Sequence, residues 1–441
     1  MTDQTLPDIV ELLRSTTASG SFATHGTLPA TIAVEVDGVG PLAFPVPPEQ
    51  ARQLRALAAP ARFGRGEQTL LDPAVRDTWK VPLDRVRVDG GGFAAVLDTV
   101  RAELGLPADC ALRAEPHSLL VYEPGQFFRR HRDSEKADGM IGTLVLTLPT
   151  ECTGGELVIE HGDRRLHTES AADAVGYVAF YADCEHEVLP VTAGHRIALT
   201  YNLIATGDTR PADPPPATTP QLTAALRTYF GTPVPLPYWR RGDGPEHQAP
   251  RQLVYLLDHQ YSQRGLGWDR LKGADAASAA ALRAAAGTAG LAVELALTEV
   301  VHHHRTDAFI DELGMMGRRR RWEFADGEWA LVDEEWESIE GDEDEEDIFD
   351  EPSDRSASDH PDANPTGTDE PELVITTLTW RLDAAGAGLA VSEQVHDDEI
   401  RCATPTRVLQ EHAYQAEGYT GNQGDTIERW YRRAAVVVRA G

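Results

Sequence analysis

The sequence predicts an α+β protein with an antiparallel β-sandwich or barrel at its centre. Three observations carry that expectation. Between Ala111 and Thr206, short apolar runs (SLLVYEP, GTLVLTLP, GELVIEH, VGYVAFYA and RIALTYNLI) follow one another, separated by Pro-Gly, Gly-Gly and Gly-Asp turn residues. Short strands at close spacing leave that pattern. On both sides of this stretch, helix-patterned segments alternate with single strand-like runs. The composition is 41% hydrophobic and 25% charged over 441 residues, ordinary for a globular chain and sufficient for a sizeable core.

Taken in order, residues 1–110 read as a mixed supporting region. TIAVEVDG alternates apolar and polar residues and ends in a turn, as a half-buried strand does. Pro47-Pro48 before EQARQLRALAAPA marks a helix opened by proline. Gly90 to Gly92 precede FAAVLDTVRAEL, a second helix, which Gly105-Leu106-Pro107 stops. Residues 111–206 form the β-rich core. Residues 207–220 hold five prolines and read as a linker, because proline cannot donate to a ladder. Residues 221–331 and 373–441 read as a C-terminal α+β region. There AASAAALRAAAG is a strong helix former, and LAVELALTEVVHHH, LVITTLTWRL and WYRRAAVVV are strand patterns. Residues 332–372 read as an acidic, disordered insertion that buries too little apolar surface to offset chain entropy.

Charge excludes some functions. The net charge is −31, but residues 333–372 alone carry 19 acids and one base, Arg355. The rest of the chain is only mildly acidic, and tight binding to nucleic acid, which needs clustered Lys and Arg, is disfavoured. No run of 18 apolar residues provides a membrane span. The N-terminal run MTDQTLPDIVELL has acids where a secretory signal has bases and an apolar block. Cys110, Cys152, Cys184 and Cys402 lie far apart without a CxxC pair, which fits reduced thiols and a cytoplasmic protein. Nothing in the sequence specifies an oligomeric state.

The chemistry-bearing residues sit in the β-rich stretch. His131-Arg132-Asp133 places an imidazole and a carboxylate two apart, on one face if the strand continues through them. His186, 53 residues after Asp133, can close the third corner from a facing strand. Two histidines and one carboxylate leave coordination positions open, the arrangement of non-heme Fe(II) oxygenases. Ten residues after His186 stands Arg196, whose guanidinium matches the far carboxylate of a 2-oxo diacid with two parallel hydrogen bonds.

With these residues in place, the sequence resembles a known family. The run Tyr122-Glu123-Pro124-Gly125-Gln126-Phe127-Phe128-Arg129-Arg130-His131-Arg132-Asp133 resembles the metal-binding opening of prolyl-4-hydroxylase-type 2-oxoglutarate/Fe(II)-dependent dioxygenases. Thr153-Gly154-Gly155-Glu156-Leu157 resembles the Gly-Gly turn that follows in that family, and His186 and Arg196 fall where it places its distal ligand and cosubstrate anchor. The resemblance implies a double-stranded β-helix (jelly roll) core, with Fe(II) held by His131, Asp133 and His186. It also implies 2-oxoglutarate held by Arg196 and Tyr122, dioxygen as oxidant and ascorbate as a reductant. The activity implied is hydroxylation of a protein side chain, prolyl first, or of a small molecule, coupled to decarboxylation of 2-oxoglutarate to succinate. Retention of Asp133 argues against halogenation. The position two after Arg196, Ser or Thr in some relatives, is Ala198, and Thr200 or Tyr122 is expected to substitute.

Plainer readings stand beside these. His161 and His167 flank the hairpin-like HGDRRLH and read as surface residues. His302-His303-His304 alternates sides on a strand and cannot converge on one ion. Arg318 to Arg321 can pair with the acidic tract. Cys184 reads as a small buried hydrophobe. The alternative from a different class is a non-catalytic interaction protein, in which jelly roll and acidic tract bind a basic partner. The complete His131, Asp133, His186 and Arg196 set argues against it.

Overall fold

The apolar runs of the central stretch become strands, and turn residues set where the chain reverses. The computed structural model describes residues 8–15, 20–28, 32–65, 68–89, 93–133, 139–206, 218–235, 247–305, 318–325, 328–335, 371–382, 386–409, 413–417 and 426–440. The core strands are β1 (Ala23–Thr27), β2 (Ala59–Pro60), β3 (Arg76–Asp77), β4 (Trp79–Val81), β5 (Ala111–Tyr122) and β6 (Phe127–His131). They continue as β7 (Met140–Thr147), β8 (Leu157–His161), β9 (Arg164–Thr168), β10 (Gly176–Tyr181), β11 (Glu185–Val188) and β12 (Arg196–Thr206). One sheet has the order β1-β10-β7-β12-β5-β4-β2 and a second the order β9-β8-β11-β6-β3. All pairings in both are antiparallel. From β5 onward the chain passes between the two sheets at nearly every turn, and one apolar core lies between and around them. This is a jelly roll.

The central strand β7 is buried along its whole length, which explains why its sequence reads as a continuous apolar run rather than an alternating one. One face of its sheet lines the inside of the roll. The other carries Tyr201, which packs on Phe93 at the start of helix α3 (Phe93–Glu103), α1 being Ile9–Arg14 and α2 Pro48–Leu57. Val96 and Val100 of α3 and Leu54 of α2 join the same core.

Residues 1–110 contribute strands to the roll itself. β1, β2, β3 and β4 extend the two sheets of the roll, pairing with edges that would otherwise stay open. A second apolar core joins α1, α4 (Thr219–Gly231) and α5 (Gly273–Ala289) to the strand Gln252–Leu256. That strand pairs antiparallel with 435–439 and parallel with Ile400–Cys402. The alanines of α5 are what make this close helix packing feasible, and Gly290, at a left-handed φ of 75°, ends the helix.

The chain divides into two compact units: 1–298 with 378–409 and 433–441, and 299–377 with 410–432. The division runs through 221–331 and 373–441. Of the expected linker 207–220, Thr219 and Pro220 open α4, and 207–217 lie outside the described residues. Of the acidic stretch 332–372, residues 332–335 end the strand Glu328–Glu335, and 336–370 lie outside the described residues. In the second unit that strand pairs with Arg318–Ala325 in a register that sets Arg318, Arg319 and Arg320 opposite Glu335, Glu334 and Asp333. The rings of His302 and His304 lie 6.0 Å apart, while His303 bonds Glu428 at 2.8 Å, as strand alternation requires.

Leu144, fully buried in the middle of β7, measures the integrity of the roll. Leu144→Ala is expected to cost about 2–5 kcal/mol of unfolding free energy, read from urea denaturation.

Candidate metal centre

Strands β6 and β11 are neighbours, and His131 and His186 are cross-strand partners. Phe128 pairs with Val188 and His131 with His186, so three steps on β6 oppose two on β11. The extra residue is a β-bulge. In a regular strand, residues three apart face opposite sides; the bulge turns His131 back to the side of Phe128, whose ring stacks on it at 3.6 Å. The two imidazoles lie 4.1 Å apart, and His186 also packs on Phe180 at 4.6 Å.

Asp133 reaches the same point by a different route from the one its spacing suggested. β6 ends at His131, so Asp133 lies past the strand and not on its face. Thr143 of β7 holds it, donating its hydroxyl to Asp133 Oδ2 at 2.5 Å. Asp133 Oδ2 then stands 3.7 Å from His186 Nε2, and one ligand atom from each of His131, Asp133 and His186 lies within 4.8 Å of the others.

Backbone carbonyls orient both rings. His131 Nδ1 meets Arg129 O at 2.9 Å and His186 Nδ1 meets Cys184 O at 3.2 Å. Nδ1–H donated to a carbonyl leaves Nε2 as the free ligand atom. Burial first, then the neighbouring His186, pushes the His131 pKa down to about 3, against the opposing pull of Asp133. The imidazole is therefore neutral near pH 7, as a metal ligand must be. Two nitrogen donors and one carboxylate fit Fe(II).

Arg196 opens β12 directly across from Tyr122, the last residue of β5. Its guanidinium carbon is 5.5 Å from the Tyr122 ring, and Nη2 reaches Thr147 Oγ1 at 3.4 Å. The residue is 2% exposed, its Nε has no partner, and no carboxylate among the described residues lies within ion-pair reach of it. Burial lowers its pKa, yet a guanidinium stays charged. A buried cation without a counter-ion is costly; a carboxylate from outside would supply one. Gly155 of the Gly-Gly turn adopts φ +72°, and a Cβ there would meet Arg196 Cδ at 3.0 Å and Val191 at 2.8 Å. The turn gives the arginine stem its room.

Thr200 lies on the inner face with Arg196 and Ala198, its hydroxyl buried and without a partner among the described residues. Thr147, the cross-strand partner of Ala198, brings a hydroxyl to Arg196 from the neighbouring strand. The motif reading did not single out Thr147, Thr143 or Arg76. Arg76 of β3 stacks its guanidinium 4.3 Å over Phe128 and lies near the Tyr122 phenol and the Asp133 carboxylate. None of the three stands at a motif position; strand pairing alone brings them in.

Residues 117–204 match the family described as the 2OG-Fe(II) oxygenase superfamily. The resemblance carried by the motifs is thus found independently, over the segment that holds all five residues the sequence singled out for the site. Fe(II), 2-oxoglutarate and dioxygen are what that family implies, and His131, Asp133 and His186 fit the iron. A Pseudomonas putida prolyl-4-hydroxylase is similar at 19% identity over 45% of this chain and 100% of its own, with a TM-score of 0.28. A Trichoplax adhaerens prolyl hydroxylase, solved with a hypoxia-inducible-factor oxygen degradation domain peptide, is similar at 15% identity over 44% of this chain and 87% of its own, TM-score 0.29. A viral collagen prolyl hydroxylase from Paramecium Bursaria Chlorella virus-1, solved with 2OG, is similar at 14% identity over 43% of this chain and 99% of its own, TM-score 0.21. No curated protein matches the chain. Among the described residues, no helix is long and apolar enough to cross a membrane.

Two outcomes follow. Thr143→Val is expected to weaken Mn(II) binding by about 10–100-fold, because the carboxylate ligand loses its holder; calorimetry on the metal-free protein reads it. Arg196→Met is expected to weaken 2-oxoglutarate binding to the Mn(II)-loaded protein by about tenfold or more through loss of a charged hydrogen bond pair, with Mn(II) affinity unchanged.

Proposed function

We propose that the protein is a cytoplasmic 2-oxoglutarate- and Fe(II)-dependent dioxygenase that hydroxylates a protein side chain, prolyl first, or a small molecule. One observation carries the reading. A triad of two imidazoles and a carboxylate shares the interior of the jelly roll with a buried arginine that has no counter-ion among the described residues.

His131, Asp133 and His186 hold the iron, with Thr143 fixing the carboxylate. Arg196 pairs with the far carboxylate of 2-oxoglutarate, and Tyr122 and Thr147 offer hydroxyls beside it. The rings of Phe128 and Phe180 back the two imidazoles and keep water from their outer faces. Bound Fe(II), with 2-oxoglutarate and dioxygen, supplies the decarboxylation to succinate and CO₂ and the oxidising power for hydroxylation. The protein contributes position, charge and dryness. The thiols Cys110, Cys152, Cys184 and Cys402 are unbridged, which supports a reducing compartment.

The test is succinate formation from 2-oxoglutarate by purified protein with Fe(II) and ascorbate and no added substrate. Slow turnover is expected, and Asp133→Ala is expected to abolish it. Equal succinate formation by Asp133→Ala would remove the triad from the chemistry.

A further inference from the structure

We propose that His161, Asp183, His259 and Lys272 form a buried clamp through which the segment 259–272 positions the distal metal ligand His186. The proposal rests on the metal reading above. It gives part of the region after the jelly roll a task in the chemistry.

Asp183 lies in the turn between β10 and β11, three residues before His186. Its side chain is 6% exposed, and its donors come from elsewhere in the chain. Lys272 Nζ donates to Oδ1 at 2.9 Å. His259 Nδ1 and the backbone N–H of Gln260 donate to Oδ2 at 2.9 and 3.0 Å. His161 Nε2, at the end of β8, stands 3.5 Å from Oδ2. Lys272 is itself 5% exposed, donates also to Gln260 O at 2.9 Å, and lies against the rings of Tyr181 and Tyr261. Asp275 of α5 accepts from the backbone N–H groups of Asp258 and His259 and from the Tyr261 hydroxyl, so the donor loop is itself held in place. Burial alone would raise the Asp183 pKa; Lys272 and His259 outweigh it and hold the carboxylate ionised, well below its ordinary value.

The same turn orients the metal ligand. Cys184 O accepts from His186 Nδ1, Cys184 N donates to Tyr181 O, and the Cys184 side chain is fully buried. The clamped carboxylate and the orienting carbonyl belong to consecutive residues, so one cannot shift without the other. Removing a donor would strand a buried charge. The turn would then move toward water, and the carbonyl that sets the His186 ring would move with it.

His161 was expected at the surface. The fold brings its side chain to 8% exposure, its ring tilted against that of His259 at 4.3 Å, while His167 stays exposed. His161, Asp183 and His259 also bring ligand atoms within 4.8 Å of one another, which raises a second metal as the rival occupant. Lys272 decides against it. Its ammonium already takes Asp183 Oδ1, and a divalent ion at Oδ2 would set two cations side by side where water does not screen them.

The experiment is Mn(II) binding to the full chain, read by the electron paramagnetic resonance of free Mn(II), with the thermal midpoint measured in parallel. Wild type is expected to bind one Mn(II), lost in His131→Ala. Lys272→Met is expected to weaken binding by about tenfold or more. Asp183→Asn with Lys272→Met is expected to recover part of that loss, because no carboxylate is left unpaired. A lower thermal midpoint with Mn(II) affinity unchanged marks a merely structural pair and overturns the clamp. If Lys272→Met does not fold, the double variant decides: weakened Mn(II) binding supports the clamp and wild-type affinity overturns it. A second Mn(II) that survives His131→Ala and disappears in His259→Ala overturns it in favour of a metal at the cluster. Mn(II) binding that His131→Ala leaves intact overturns the metal reading itself, independently of Lys272.

Discussion

The pairing of β6 with β11 is the constraint on which the site depends. It makes His131 and His186 cross-strand partners, and the bulge between Phe128 and His131 turns the first imidazole inward. Without that extra residue the alternation of the strand would aim His131 away from His186. The surrounding roll exists in part to hold this pair. β8 flanks β11 on one side, β3 flanks β6 on the other, and β7 carries the threonine that places Asp133.

Burial of charge is the second organising theme, and the molecule handles it in two opposite ways. Arg196 is buried with its Nε unpartnered and no counter-ion among the described residues. Such a cation is poorly stable alone and ready for an incoming carboxylate. Asp183 is buried with its acceptor capacity filled by Lys272, His259 and Gln260. A charge saturated by its own chain fastens structure; a charge left incomplete suits a ligand of opposite charge. The contrast separates the two His-Asp-His groups found among the described residues, which proximity alone would treat alike. In the second group Lys272 sits on the carboxylate.

The fold of the centre was legible because its physics is local. Alternating and continuous apolar runs cut by glycine and proline give strands wherever they occur, and the helices at Pro48 and Phe93 open where proline and glycine predict. The domain divisions were less legible. Sheet edges recruit whatever strand can pair with them, so residues before 110 joined the roll, a choice that no local pattern records. The same holds within the site. His131, Asp133, His186 and Arg196 stand out because few roles need those residue types at those spacings. Thr143, Thr147 and Arg76 read as ordinary strand residues until pairing sets them beside a ligand or an anchor.

The sequence by itself determined the donor chemistry: two imidazoles, a carboxylate and a guanidinium, in an order that few arrangements other than a 2-oxoglutarate/Fe(II) site require. It also determined Gly155, whose missing Cβ leaves room beside the Arg196 stem. Only the tertiary structure decided the geometry. Asp133 lies past the end of its strand and is aimed by a threonine from another, and His161 is drawn from an expected surface turn into a buried cluster. The reason is physical. Residue type fixes what a group can bind, whereas direction and burial are set by strand registers and packing between segments far apart in the chain, which no local pattern encodes.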